Sequence, residues 1–445
     1  MDEKEILRLI DEKKYIAIQK ELSEMNEVDV AELLDPLDAK TTLLIFRMLP
    51  KDLAANVFSH FSKEQQLGII NAITDKELMH IMDELFFDDM IDLLEEMPAN
   101  IVKKILRYTS EDERALINHF LKYPEDSAGS LMTIEYVDLK KAMTVKEALK
   151  HIKETGMDKE TVYTCYVTDS KRTLEGFISL RTLVTADEDI IIGNIMESEV
   201  IHVNTHDDQE NVANQFKKYG YLALPVVDNE NRLTGIITVD DIMEVMEQEA
   251  TEDFQRMAAM SPSEEAYLGT GVFALARHRL PWLLVLMISA TFTGRIMQRF
   301  EDVLTQIVVL SAFIPMLMDT GGNSGSQSST LIIRGLATGE IVMKDWWRVL
   351  FKEIRVSLLV GVALAITNFA RLLFFEKIDI LISLTVSITI VVTVMASKIV
   401  GGLLPLIAKK MKLDPAIMAG PLITTIVDAL ALIVYFLTAT VLLGL

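Results

Sequence analysis

A single acidic residue, Asp428, stands in the middle of a long apolar run near the end of the chain. Thr424 and Thr425 lie about one helical turn before it. A carboxylate at the centre of a bilayer costs about 3 kcal/mol even on the gentler insertion scales. We therefore expect these three residues to line a cation pathway. The alternatives are a structural hydrogen bond, an ion pair of Asp428 with Arg334 or Lys398, and hydroxyls that bond only to their own helix backbone.

A second polar interruption covers residues 315–330, inside another apolar stretch. It places Asp319, Asn323 and Gln327 among glycines and hydroxyl side chains. Such residues either satisfy one another in tight helix packing or face an ion pathway. Neither run contains His or Cys, so oxygen ligands for a hard cation are expected. Because Mg²⁺ gives up its waters reluctantly, binding through those waters would suit it.

Charge divides the chain near residue 270. Residues 271–445 hold 15 basic and 10 acidic side chains, whereas the preceding part holds 28 basic and 55 acidic side chains. This division excludes a single globular enzyme domain, and so acidic a surface argues against nucleic-acid binding. Cys165 is the single cysteine, which excludes a disulfide within the chain. The first residues lack the basic and apolar regions of a cleavable signal peptide.

Five apolar stretches after Arg279 are long enough to cross a membrane. They cover residues 280–297, 303–333, 356–375, 380–408 and 415–445. Basic residues precede the first stretch and follow the second and fourth, so these loops are expected on the cytoplasmic side. The sequence therefore predicts a multi-pass protein of the cell membrane, with a cytoplasmic N-terminal half and the C-terminus outside.

Residues 24–120 are punctuated every 11 to 14 residues by positions that favour helix starts. Those with Pro, Ser or Thr are Pro36, Pro50, Ser62, Thr74, Pro98 and Ser110. The pattern predicts a small superhelix of short helices. Its acidic group is either a solvated face or half of a divalent-metal site, and it consists of Asp83, Glu84, Asp88, Asp89 and Asp92.

Residues 128–250 contain a diverged tandem repeat in which short apolar strands alternate with amphipathic helices. The order of its motifs resembles a pair of CBS domains, which commonly bind adenine nucleotides through Gly-x-x-Ser/Thr-x-x-Asp. The second copy keeps this pattern as Gly235, Thr238 and Asp241, so the resemblance implies ATP binding there. The first copy departs from it, because Thr182 stands where the carboxylate would be. A polar connecting helix is expected to follow and to lead into the first apolar stretch.

These parts occur together in the MgtE family of magnesium channels, which the whole chain resembles. The run from Pro315 to Ala337, Asp414-Pro415 and the segment Gly420-Pro-Leu-Ile-Thr-Thr-Ile-Val-Asp428 look like motifs of that family. The resemblance implies a multidomain fold. Its parts are an α-helical superhelical N domain (1–127), an α/β tandem CBS pair (128–246), a connecting or plug helix (247–270) and an α-helical transmembrane domain with five spans (271–445).

The resemblance also implies a homodimer whose pore lies on the two-fold axis, with Asp428 of each subunit binding hydrated Mg²⁺. Gly420, Asn323 and Gln327 would belong to the same pathway. Cytosolic Mg²⁺ would close the channel by bridging acidic residues, which are matched here by Asp88, Asp92, Asp208, Glu210, Asp241, Glu244, Glu249, Glu252, Asp253 and Asp414. For the acids around Asp241, the alternative is an ordinary solvated helix face.

The competing interpretation is a secondary transporter that couples Mg²⁺ or a related divalent cation to Na⁺ or H⁺. A second buried carboxylate is not evident in the later spans, which argues against proton coupling, although Asp319 keeps that interpretation open. An enzyme is not expected, since the sequence offers no evident nucleophile–base pair, P-loop or set of metal-ligating histidines.

Overall fold

The computed structural model describes residues 3–263, 267, 268 and 270–444. They form two compact units, of which the first ends at Met246 and the second begins at Glu247.

Ten short helices open the first unit. They are α1 (Glu3–Asp11), α2 (Tyr15–Leu22), α3 (Glu27–Leu34), α4 (Ala39–Phe46), α5 (Lys51–Ser59), α6 (Lys63–Ala72), α7 (Asp75–Glu84), α8 (Phe87–Glu96), α9 (Ala99–Tyr108) and α10 (Glu111–Phe120). Side chains such as Ile45, Phe58 and Ile70 are buried between them. The predicted helical N domain is confirmed. Each short helix has one apolar side that only its neighbours can bury, so the helices are stable together and not alone.

Most of the predicted helix starts are confirmed. Ser62, Thr74 and Ser110 form capping boxes at the starts of α6, α7 and α10, and prolines precede α5 and α9. The prediction at Pro36 is wrong. Asp38 caps α4 instead, because its carboxylate accepts hydrogen bonds from the backbone N–H groups of Lys40 and Thr41, which a proline side chain cannot do.

The tandem repeat forms two small α/β modules of the same topology. The first contains β1 (Tyr136–Leu139), α11 (Val145–Thr155), β2 (Thr161–Thr168), β3 (Leu174–Ser179) and α12 (Leu180–Thr185); the second contains β4 (Val203–Asn204), α13 (Gln209–Tyr219), β5 (Ala223–Val227), β6 (Leu233–Thr238) and α14 (Val239–Met257). In each sheet the first strand pairs in parallel with the second, and the third is antiparallel to the second. This confirms the α/β pair predicted from the repeat.

One apolar core joins the helical N domain to the second α/β module within the first unit. Phe87, Ile91 and Phe120 belong to the same buried cluster as Phe216 and Ile237. The two sheets share a smaller cluster around Tyr166 and Ile236, which are nearly inaccessible to water. The N-terminus of α8 is therefore held firmly next to the α/β pair.

The second unit contains long helices after the end of α14. They are α15 (Val272–Arg299), α16 (Glu301–Gln306), α17 (Ile314–Ala337), α18 (Trp346–Phe374), α19 (Ile380–Lys410) and α20 (Gly420–Leu443). Short 3-10 turns cover Val308–Phe313, Met343–Asp345 and Pro415–Met418. The described residues include four helices long and apolar enough to cross a membrane, namely those ending at Arg299, Phe374, Lys410 and Leu443.

The predicted second span differs from the structure. The chain breaks after Gln306 and turns through a 3-10 segment before α17 begins with Pro315 in its first turn. At 24 residues, α17 is about 36 Å long and could cross a bilayer. Its polar residues keep it below the apolar composition of the other four, so the count of five spans stays a prediction.

The third span also begins earlier than predicted. Hydropathy predicts a start at Val356, but the helix starts at Trp346 and includes Glu353, which is buried with 8% of its surface exposed. The basic residues Lys352 and Arg355 on either side of Glu353 lie on the exposed side of α18. The expectation that the later spans lack a second buried carboxylate is therefore wrong. The objection to proton coupling that depended on it no longer holds.

Candidate functional site

Helices α17, α19 and α20 pack closely through small residues. Gly325 of α17 lies so near Gly401 of α19 that a Cβ on Gly401 would overlap the Gly325 carbonyl group. A Cβ on Gly321 would lie 2.9 Å from side-chain carbons of Thr393 and Val427. Glycine is required at Gly401 because the two backbones approach too closely for a Cβ, and Gly321 leaves space for the side chains of Thr393 and Val427.

Small residues face inward on α17, whereas its polar residues form an exposed stripe on one side. The members of this polar stripe, spaced at intervals of three or four residues, are Asp319, Asn323, Gln327, Thr330 and Arg334. Hydrocarbon cannot satisfy amides and charges at membrane depth. At membrane depth the stripe would need water or another protein chain against it, and the pathway role of Asn323 and Gln327 stays a prediction.

Asp428 lies half-buried on α20, and Asp319 is near enough to interact with it electrostatically. Among the residues that the structure describes, Asp428 has no basic partner within ion-pair distance, so neither Lys398 nor Arg334 pairs with it. The hydroxyls of Thr424 and Thr425 each donate to the Pro421 carbonyl at 2.9 Å. These are the backbone bonds that the sequence analysis considered as an alternative, and they leave the hydroxyl oxygens able to accept hydrogen bonds from water.

The α20 helix starts at Gly420, at the end of the 3-10 turn that carries Asp414 at its beginning. The Ser329 hydroxyl of α17 donates to the Met418 carbonyl in this turn at 2.6 Å. The start of α20 and the last turns of α17 are thereby tied together. Gly420 is the first residue of α20, eight residues or about 12 Å before Asp428 along the helix, so the two residues are not neighbours.

In the first unit, three carboxylates from separate elements converge. Oxygen atoms of Asp88 (α8), Glu135 and Glu160 all lie within 4.8 Å of one another. The backbone N–H of Phe87 donates to Glu135 at 3.2 Å, and the buried Oε2 of Glu160 has no hydrogen-bond partner among the described residues. We call these three residues, together with the adjacent Asp89 and Asp241, the acidic cluster.

Burial and mutual repulsion shift the protonation of the acidic cluster. Burial, followed by the charges of Asp241, Asp89 and Glu160, raises the pKa of Asp88 to about 9. Burial and neighbouring carboxylates raise the pKa of Glu160 to about 7 and those of Asp89 and Asp241 to about 6. Removing carboxylates from water disfavours their charged form, and a divalent cation would favour it again.

Of the acidic cluster, Asp88, Asp89 and Asp241 were predicted from the sequence, whereas Glu135 and Glu160 were not. Asp92 lies exposed one turn after Asp88, and Glu244 is exposed on α14, near enough to Asp89 to act on its charge. Other predicted ligands are not in this group. Asp208 caps α13 by accepting from the N–H of Glu210 at 3.0 Å, and both side chains are exposed.

A second acidic group lies in the second unit, where α14 meets the turn before α20. Arg256 forms ion pairs with both Glu252 and Asp414. Burial, with the charges of Asp414 and Glu249, raises the pKa of Asp253 to about 6. The structure thus brings together four of the predicted cation ligands and adds an arginine that the sequence analysis did not consider.

The predicted nucleotide-binding residues contact each other. The buried Thr238 hydroxyl donates to the carboxylate of Asp241 at 2.6 Å. At the equivalent place in the first module, Ser179 and Thr182 share a hydroxyl–hydroxyl bond of 2.8 Å. The two modules therefore differ in charge at this position, and Asp241 is common to the nucleotide motif and the acidic cluster.

Comparison with known proteins covers all parts of the chain. A family model described as a divalent cation transporter matches residues 314–438, an MgtE intracellular N domain model matches residues 25–126, and a CBS domain model matches residues 192–248. The chain is 37% identical to the magnesium transporter MgtE of Thermus thermophilus, over 96% of this chain and 95% of that protein. It is 32% identical to the magnesium transporter MgtE of Bacillus subtilis, over 98% and 96%.

Solved structures resemble the first part of the chain. The crystal structure of the cytosolic domain of the Mg²⁺ channel MgtE in complex with ATP aligns with a TM-score of 0.52 and 36% identity, over 54% of this chain and 98% of that one. The soluble part of a magnesium transporter aligns with the same TM-score and 29% identity, over 56% and 98%. With its apolar helices and its near full-length relatives, the chain belongs to the MgtE family of membrane-bound magnesium transporters.

Proposed function

We propose that this protein is a Mg²⁺-selective channel that imports magnesium and is closed by cytosolic Mg²⁺. The observation that carries the proposal is Asp428, a half-buried carboxylate without a basic partner among the described residues, beside the polar stripe of α17. Carboxylate, amide and hydroxyl oxygens suit a hard cation. One carboxylate per chain is too few to replace the waters of Mg²⁺, so the ion passes largely hydrated.

The pathway is proposed to form between two copies of the chain. The polar stripe is exposed in the single chain and needs water or protein against it. A two-fold axis beside α17 and α20 would give each stripe its counterpart and would place two Asp428 carboxylates across a wet pathway. Two such carboxylates attract a divalent cation more strongly than either attracts a monovalent one, which favours Mg²⁺ over Na⁺.

The acidic side chains of the N-terminal half are proposed to sense cytosolic Mg²⁺. The candidate ligands are the acidic cluster, the second acidic group (Glu249, Glu252, Asp253 and Asp414) and the exposed carboxylates Asp92, Asp208, Glu210 and Glu244. Bound Mg²⁺ would hold these surfaces together and the pathway shut, whereas repulsion in its absence would favour opening. Such gating requires that the closed state binds Mg²⁺ more tightly than the open state does.

The N-terminal half is proposed to face the cytoplasm and the C-terminus the outside. Basic residues lie in the first turns of α15, around the end of α17 and the start of α18, and at the end of α19, and the positive-inside rule assigns these ends to the cytoplasm. The CBS pair is proposed to bind ATP through Thr238 and Asp241. The relative with 36% identity was crystallised in complex with ATP, which supports this assignment.

A coupled carrier is the second candidate, and one observation favours it. Glu353 is buried within the apolar helix α18, where a carboxylate could carry a proton through the transport cycle. Single-channel recording separates the two candidates. Unitary Mg²⁺ currents indicate a channel, while a fixed counter-flux of H⁺ or Na⁺ per Mg²⁺ indicates a carrier.

The proposed pathway is tested by Asp428→Asn in proteoliposomes. The change keeps the shape of the side chain and removes its charge, so assembly should persist while Mg²⁺ flux falls at least about tenfold. Asp302→Asn is the matched control, because Asp302 is an exposed aspartate of the same unit, on α16. Full Mg²⁺ flux through the Asp428→Asn protein would overturn the pathway assignment.

A further inference from the structure

Three polar side chains from three different helices meet inside the second unit. They are Ser328 of α17, Glu353 of α18 and Lys398 of α19, with 1%, 8% and 4% of their surfaces exposed. The Ser328 hydroxyl donates to Glu353 Oε2 at 2.6 Å. Lys398 Nζ lies 3.4 Å from the Ser328 hydroxyl oxygen and 3.5 Å from the Ser324 carbonyl oxygen.

The chemistry of these groups fixes the order of the hydrogen bonds. An ammonium group only donates and a carboxylate only accepts, whereas a hydroxyl does both. Ser328 therefore connects Lys398 to Glu353 in one continuous chain of donors and acceptors. In the described residues, Lys398 and Glu353 make no direct ion pair within 4.0 Å, so the hydroxyl is the link between the two buried charges.

The surrounding packing leaves room for this link and little freedom to rearrange. A Cβ on Gly402 would lie 3.0 Å from Cγ of Glu353, so glycine there makes space for the glutamate. One turn away, Gly325 of α17 touches Gly401 of α19 through their backbones. Loss of a contact in this link would leave Glu353 or Lys398 buried and unpaired, which is strongly destabilising. Because the backbones of α17 and α19 are in contact, we expect α17 to shift as a whole in response.

The link lies on the buried side of α17, about 100° around the helix from the polar stripe. Ser324 and Ser328 each follow a stripe residue directly in the chain, Asn323 and Gln327, which face outward. A rotation of α17 that broke the bonds of Ser328 would turn both amides by the same angle. The buried contacts thus determine where the stripe points.

We propose that Glu353, Ser328 and Lys398 are positioning residues that fix the rotation and height of α17, and thereby set the geometry of the ion pathway. This inference rests on the proposed function, which assigns the polar stripe to that pathway. The three residues do not contact the ion. They act on transport rate and on discrimination between ions through Asn323 and Gln327.

The test measures flux of Mg²⁺ and of Co²⁺ through the full-length protein in proteoliposomes. The variants are Ser328→Ala, Glu353→Gln, Lys398→Met and the double variant Glu353→Gln/Lys398→Met. Ser357→Ala is the matched control, because Ser357 is fully buried one turn from Glu353 and, within the described part of the chain, bonds only to the Ile354 carbonyl of its own helix. Elution in detergent reports assembly for every variant.

Ser328→Ala and both single charge variants should lower maximal Mg²⁺ flux roughly tenfold or more and change the Mg²⁺-to-Co²⁺ flux ratio, as expected when coordinating groups move by about 1 Å. The double variant should recover to within about threefold of the unmodified protein, since no unpaired charge remains. If the single charge variants do not fold, the flux and ion ratio of Ser328→Ala alone test the proposal.

Three results would overturn the proposal: an unchanged flux and ion ratio in Ser328→Ala, an equal loss in Ser357→Ala, or a loss in the double variant equal to the product of the single losses. Asp428→Asn, run in parallel, separates this inference from the proposed function. Full flux in that variant contradicts the pathway itself, whereas its loss beside an unaffected Ser328→Ala contradicts only the positioning role.

Discussion

Binding of Mg²⁺ to the acidic cluster should release protons, because the cluster is partly protonated at neutral pH. With a pKa of about 9, Asp88 is almost fully protonated at pH 7, and Glu160, with a pKa of about 7, is half protonated. Together with the smaller shares of Asp89 and Asp241, the cluster holds about 1.7 protons per chain at pH 7 and about 1 at pH 8. A cation that binds only the ionised carboxylates must displace these protons.

Isothermal titration calorimetry can count these protons. Mg²⁺ is added to the full-length protein in detergent, in two buffers that differ in ionisation enthalpy, and the difference in heat gives the protons released. Exposed carboxylates are already ionised at pH 7 and contribute almost nothing. We expect about 1.7 protons at pH 7 and about 1 at pH 8.

Asp88→Asn should reduce the release by about one proton at both pH values, because it removes the group with the highest pKa. Asp112→Asn is the matched control, as Asp112 is the second residue of α10 just as Asp88 is of α8, but is exposed. Release of fewer than about 0.3 protons at pH 7, or an unchanged count in Asp88→Asn, would refute Mg²⁺ binding at the acidic cluster.

Three further predictions follow from the same contacts. Neutralising Asp241, Glu252 and Asp253 together should leave Mg²⁺ flux active at millimolar cytosolic Mg²⁺, and normal inhibition in that variant would count against the sensing role. Without Mg²⁺, the melting temperature should fall as the pH rises from 6 to 9. The raised pKa values mean that the folded state binds more protons than the unfolded state, so stability is lost as pH rises. Saturating Mg²⁺ should make the melting temperature less dependent on pH. Gly401→Ala should destabilise the protein by about 1–3 kcal/mol in thermal unfolding and reduce transport, because the new Cβ would meet the backbone of α17. Gly294→Ala is the control, since its Cβ would meet nothing within 4 Å, and it should change neither stability nor transport.

Local patterns in the sequence predicted much of this fold. Capping residues such as Thr74 and Ser110 mark helix starts because their side chains bond to the first turn that follows them. The repeated strand and turn order gave the two α/β modules, and the long uncharged runs gave the four most apolar helices. Each of these patterns can be recognised from residues that are neighbours along the chain.

Features that depend on distant contacts were not predictable in the same way. Glu135 and Glu160 join Asp88 from positions 47 and 72 residues further along the chain, and no spacing links them. Glu353 lies between Lys352 and Arg355, so hydropathy alone begins the span only after these charges, at Val356. Only the packing of α18 against α17 and α19 buries the glutamate and exposes its neighbours.

The two halves of the chain use carboxylates in opposite ways. In the acidic cluster, burial and repulsion keep part of the group protonated, so the fold tolerates five acids close together when Mg²⁺ is scarce. In the second unit, Asp428 is half-buried, and in the proposed pathway an ion would pass it without losing its waters. A sensing site must hold Mg²⁺ long enough to change which state is stable, and a pathway must release it. In the proposed function, many converging carboxylates serve the first requirement, and a single one from each of two chains serves the second.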